Sequence, residues 1–150
     1  MIALAASTPH LRPVAVPVTP SLRRVFAGDA RTLWSLCQEA AAASPLAPEM
    51  PLPLREALFD TPCRSWAWQA EIGGEALGVI VASGGLALPL GGYCLTVDAV
   101  YVRPAWRGRG IGTRLHAHAR AMAAEMGCQQ LRLSDGRVLP AVAPEHEALS

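Results

Sequence analysis

Three glycines within five residues stand where a strand-like run gives way to a helix-like one. The run Val100-Tyr101-Val102-Arg103-Pro104-Ala105-Trp106 comes first, then Arg107-Gly108-Arg109-Gly110-Ile111-Gly112-Thr113. After the loop, Ile111, Leu115, Ala119, Met122 and Met126 step by four, four, three and four, which predicts a helix over 110–126. Glycine keeps bulk off the main chain and accepts backbone conformations that side chains disfavour. The first amides of a helix have no internal partner, and the dipole there is positive. A junction of this kind suits a phosphate or pyrophosphate. Arg107 and Arg109 add donors and fixed charge. The junction also constrains topology. A strand over 93–102, this helix, Gly127 as its C′ residue and a strand over 129–133 make a β-α-β unit, so the two strands should be parallel.

The spacing excludes two common phosphate loops. No Gly-Lys-Ser or Gly-Lys-Thr occurs anywhere in the chain, so a P-loop is absent. A G-x-G-x-x-G fingerprint fails in both frames, at Thr113 from Gly108 and at Leu115 from Gly110. What fits is Arg-x-x-Gly-x-Gly, from Arg107 to Gly112. With the strand before it, Pro104 between and the helix after, this segment resembles the acetyl-CoA loop of the GNAT superfamily of N-acetyltransferases. The alternative is a Gly/Arg-rich surface loop that binds nothing.

The rest of the chain can be read in the same way. Pro9, Pro13, Pro17 and Pro20 predict an extended arm over 1–20. A first strand is expected over 22–26 and a helix from Asp29, as N-cap, to about Ala43. Four prolines make 44–53 a loop, and 54–59 reads as a second helix. Ser65–Ile72 alternates as a strand, Gly73-Gly74 is a hairpin signal, and Ala76–Ser83 is the next strand. Gly84–Gly92 reads as a glycine-rich loop. The order is β-α-α-β-β-β-α-β in one domain over 21–150, an α/β class with a mixed sheet. It corresponds to the GNAT order over about residues 21–133, without that family's usual last helix and two strands.

Composition narrows the function. With 51% apolar and 17% charged residues the chain is globular. A net charge of +1 argues against a nucleic-acid surface. No stretch reaches the ~20 apolar residues of a membrane helix, so neither a membrane nor a nucleic-acid partner is expected. Cys37, Cys63, Cys94 and Cys128 form no C-x-x-C pair and read as free thiols of a cytoplasmic protein. His116 and His118 lie two apart on the predicted helix, on different faces, and read as surface residues rather than metal ligands. Trp66, Trp68 and Trp106 read as core or rim packing. Arg103 and Arg114 read as solvated surface charges.

The GNAT resemblance implies an N-acetyltransferase that moves acetyl from acetyl-CoA, as cosubstrate, to a small-molecule or protein amine by direct attack. No G-x-S-x-G elbow argues for an acyl-enzyme. It implies pyrophosphate on the amides of Gly108, Arg109, Gly110, Ile111, Gly112 and Thr113, and a pantetheine arm paired with Val100, Tyr101 and Val102. Asp98 stands where diamine acetyltransferase-like members carry an acidic residue, which implies a proton-accepting role. Its other reading is a strand-edge or bulge carboxylate satisfied by backbone N–H groups. The family's usual tyrosine acid has no counterpart, since Tyr93 and Tyr101 both precede the loop. The short C-terminal part leaves the strand over 129–133 as an expected open edge, suited to homodimer formation. The second functional reading is therefore a GNAT-like domain that binds acyl-CoA and catalyses little: a sensor, an interaction module or a truncated product.

Overall fold

Residues 19–42 and 47–142 are described in a computed structural model of the protein. The elements are β1 (Ser21–Arg24), α1 (Ala30–Ala40), α2 (Leu52–Phe59), β2 (Ser65–Ile72), β3 (Glu75–Ala87), β4 (Gly92–Val102), α3 (Ile111–Glu125), β5 (Gln130–Arg132) and β6 (Val138–Pro140). They build one mixed sheet in the order β1-β2-β3-β4-β5-β6. β4 and β5 are parallel, as the crossover through α3 requires, and the other neighbours are antiparallel. The expected arm falls largely on residues 1–18, which lie outside the described residues. No helix among the described residues is long and apolar enough to cross a membrane.

The alternation of each strand divides the core into two layers. On one face Trp68, Ile80, Leu95, Val97 and Leu131 pack against Ile111, Leu115, Ala119 and Ala123 of α3. On the other, Ala67, Val79 and Val81 pack against Leu33 and Leu36 of α1 and Leu58 of α2. The α3 stripe at i, i+4 and i+8 is what a helix lying across a sheet needs.

Three expectations are corrected. Gly84–Ala87 is not loop but the continuation of β3, paired with Gly92–Leu95. Glycine suits position 84 because a Cβ there would stand 3.3 Å from the Trp66 ring. The segment after β5 is not devoid of sheet: β6 folds back through a turn at Gly136 (φ +90°) and pairs with all of β5, covering the edge expected to be open. Pro140, with no N–H to donate, is tolerated on this outermost strand.

The third correction concerns Asp29. It stands at the N-cap position of α1 as expected, but its side chain bonds no amide of that helix. It accepts from the Phe26 N–H at 2.9 Å and receives both terminal nitrogens of Arg23, at 2.8 and 2.9 Å. Arg23 Nε reaches Glu71 at 3.0 Å. One guanidinium thus ties β1, the start of α1 and β2 together. The Arg23 hydrogen bonds, against the cost of burial, lower the Asp29 carboxyl from 3.8 to about 2. A group held below its unfolded pKa stabilises fully above the unfolded value and loses that contribution as pH falls through the folded one. Asp29→Asn should therefore lower unfolding free energy by about 1 kcal/mol at neutral pH, a modest sum because the pair is partly exposed. Urea unfolding of both proteins should show that gap at pH 7 and a narrower one near about pH 2.5.

Candidate active site

The glycine loop arrives at α3 as the sequence led us to expect. Gly108 and Gly110 take left-handed φ values of +77° and +79°, which side chains rarely adopt, and Gly110 is the residue before the helix. Arg114 N–H is the first to reach a helical carbonyl, Gly110 O at 3.0 Å. The amides of Ile111, Gly112 and Thr113 precede it and stay free of helical partners. A hollow of about 340 Å³ lies between them, Val102, Trp106 and Arg107.

The loop arginines are held by the protein itself. Arg107 Nε donates to Val102 O at 2.9 Å, and its guanidinium carbon lies 5.5 Å from the Tyr101 ring centre. Arg109 stacks on Trp106, itself on the rim of the hollow, at 4.7 Å, and does not line the hollow. The backbone amides rather than Arg109 line this site.

β4 supplies the second part. β5 pairs with it only from Cys94 to Thr96 and then ends. From Val97 to Val102 β4 keeps β3 on one side and, among the described residues, has no strand on the other. Arg103 N–H bonds Leu77 O at 2.8 Å, which fixes the alternation of the β3–β4 ladder. Tyr101 and Ala99 turn their main-chain groups to β3, while Val100 and Val102 turn theirs to the uncovered edge. Of the three residues expected to offer backbone, Val100 and Val102 do so. Tyr101 does not: its main chain is committed to β3, and its hydroxyl donates to Glu39 at 3.3 Å on the α1 side.

The third part is a bulge. Val81 is opposite Ala99 and Ala82 is opposite Val97, so Asp98 is an extra residue. It is exposed, and its Oδ2 accepts the Ser83 hydroxyl. Ser83 Oγ lies 3.0 Å from Ser65 Oγ. Asp98 thus stands at a bulge, but its partner is a hydroxyl and not backbone N–H groups. Sequence reasoning missed both serines. They are 15 and 33 positions from Asp98 with no motif linking them, and only the β2–β3–β4 register brings them together.

Other candidates have structural duties. Arg103 pairs with Glu39 at 3.1 Å and Glu75 at 3.8 Å instead of standing in solvent. His116 and His118 are half-buried rather than superficial. His116 Nδ1 bonds Gly112 O at 2.9 Å, and His118 meets the buried Trp68 edge-on at 5.9 Å. Burial lowers the His118 pKa, which favours the neutral ring. All four cysteines are free thiols.

Residues 29–143 match the sequence model of the acetyltransferase (GNAT) family. The chain belongs to this family. No curated protein matches it by sequence. Among solved structures, an integron cassette protein from the mobile metagenome of Cole Harbour Salt Marsh is 26% identical, with a TM-score of 0.70 over 82% of this chain and 90% of that one. A ribosomal-protein-alanine N-acetyltransferase from Brucella melitensis biovar Abortus 2308 is 21% identical, with a TM-score of 0.63 over 86% and 87% of the two chains. AAC(6')-Iy, in complex with the bisubstrate analogue CoA-S-monomethyl-acetylneamine, is 16% identical, with a TM-score of 0.61 over 88% and 85%. The last two likenesses bear on the fold alone.

For a GNAT domain the glycine turn makes a direct test. Gly110 is a poor place to mutate, since its left-handed φ would strain any side chain. Gly112 is not so constrained: a Cβ there would meet only Val102 Cγ2, at 3.9 Å. Gly112→Glu should leave the helix content intact by circular dichroism. It should weaken CoA binding by about 10²-fold or more, because it sets a carboxylate at the free amides of the helix start. Calorimetry at matched protein concentration measures the loss.

Proposed function

We propose that the protein transfers the acetyl group of acetyl-CoA to an amine by direct attack. One observation carries this reading: an uncovered strand edge with outward amides runs straight into a glycine turn at a helix start. CoA has complementary parts, a pyrophosphate for the turn and a chain of amides for the edge. Val100 and Val102 pair with that chain, and the thioester lies towards the bulge. The amine nitrogen attacks the thioester carbonyl carbon, the C–S bond breaks, and acetyl passes to nitrogen. An outward N–H on β4 supports the charge that gathers on the carbonyl oxygen.

An alkylammonium has a pKa near ~10 and must lose a proton before attack. Asp98 Oδ1 receives it, the other carboxylate oxygen being held by Ser83. A carboxylate in this position supports a small cationic amine as the acceptor, with a protein amine as the other class. As the amide forms, the nitrogen gives its second proton to solvent or to the departing CoA thiolate, which with a pKa near ~8.5 leaves without a protein acid.

A second reading, an acyl-CoA-binding domain of little activity, is favoured by the tyrosines. Tyr101 is engaged with Glu39, and Tyr93 sits at the opposite end of β4 from the loop. Thiol release from acetyl-CoA with a panel of primary amines separates the two. We expect micromolar CoA affinity, about −7 to −8 kcal/mol, and measurable transfer to at least one amine. Asp98→Asn should cut turnover by about 10²-fold with acetyl-CoA affinity unchanged. Tight binding with no transfer to any amine would favour the second reading. No binding by a folded protein would remove both.

A further inference from the structure

An aspartate on an exposed strand turns freely about two side-chain bonds, and a base needs one oxygen aimed at one place. Asp98 is exposed at the bulge, yet its Oδ2 is tethered to the Ser83 hydroxyl. Ser83 and Ser65 are cross-strand partners in the β2–β3 register, their oxygens 3.0 Å apart, and Ser65 is only 8% exposed. Charge fixes the direction of this chain. An ionised carboxylate only accepts, so Ser83 must spend its one hydrogen on Asp98. The Ser83 oxygen is then left to accept the Ser65 hydrogen. The order is Ser65 to Ser83 to Asp98, anchored at a buried residue and ending at an exposed one. Asp98 Oδ1 has no partner among the described residues.

We propose that Ser83, oriented by Ser65, is a positioning residue: by holding Oδ2 it turns Oδ1 towards the incoming ammonium. This rests on the reading of Asp98 as the base. The tether acts only on the proton-accepting group, so it affects the acetyl-transfer rate and not the affinity for acetyl-CoA. Its effect is felt through Asp98 and disappears when Asp98 cannot accept a proton. Ser65 acts one link further away and has the smaller effect.

The test is a double-mutant cycle on the full chain, with acetyl-CoA and two probe amines. Ethylamine is protonated at pH 7, and 2,2,2-trifluoroethylamine is largely neutral there. Ser83→Ala should slow kcat with ethylamine by about tenfold or more while acetyl-CoA affinity by calorimetry stays at the wild-type value. Ser83→Thr, which keeps the hydroxyl and suits a strand, should restore most of the rate. In the Asp98→Asn background Ser83→Ala should add little, since both act through one group. The loss should be far smaller with trifluoroethylamine, which is already neutral and needs no base before attack. The inference is overturned by a Ser83→Ala protein at wild-type rate, by equal losses with both amines, or by a loss fully additive to that of Asp98→Asn. If Asp98→Asn itself keeps full rate, the base reading fails and this inference falls with it, while CoA binding stands on its own titration.

Discussion

β4 outruns β5. Parallel pairing stops at Thr96 opposite Arg132, and among the described residues the rest of β4 goes on with β3 alone beside it. Buried main-chain groups are nearly always paired, so an unpaired edge at the centre of a sheet asks for a partner. Two features keep it open. β5 is only three residues long and then turns back as β6. The bulge at Asp98 bends β4 where the two strands part. The uncovered amides of Val100 and Val102, the exposed carboxylate and the approach to the glycine turn all follow from that parting.

α3 links this opening to the core. Ile111, Leu115, Ala119 and Ala123 are at most 3% exposed against the sheet, and that packing fixes where the helix begins. Its free amides are therefore held by the core, and not by the loop that precedes them. The loop contributes conformation. Gly108 and Gly110 have open space around them, so glycine serves there for its backbone freedom alone. The arginines brace the same corner, Arg107 on Val102 O and Tyr101, Arg109 on Trp106.

Much of this was legible because it is local. The β2 boundaries, the Gly73-Gly74 hairpin, the loop, α3 and the parallel crossover all rest on contiguous patterns in period or turn chemistry. What escaped is set by register. Gly84–Ala87 reads as loop by composition, yet Gly92–Leu95 lies opposite and the glycine makes room for Trp66. β6 is three residues ending in proline, too short for a pattern. Tyr101 sits inside the right segment, but which residues of a strand face a free edge depends on its partner's alignment. Asp29 looked like a cap until Arg23 and Phe26 claimed its oxygens.

Register also separates the two halves of the site by face. Val100 and Val102 pack their side chains against the α3 layer, where the glycine turn lies. Tyr101 packs against the layer of α1 and α2, and Ser65 and Ser83 fall on that same face by alternation from Ala67 and Val81. The extra residue at the bulge lets Asp98 join the serines without disturbing Val97 in the α3 core. A regular strand would have to give up one or the other. A cosubstrate held from the α3 side and an acceptor met from the α1–α2 side would then converge where β4 and β5 part, which is the place from which both faces of the sheet can be reached.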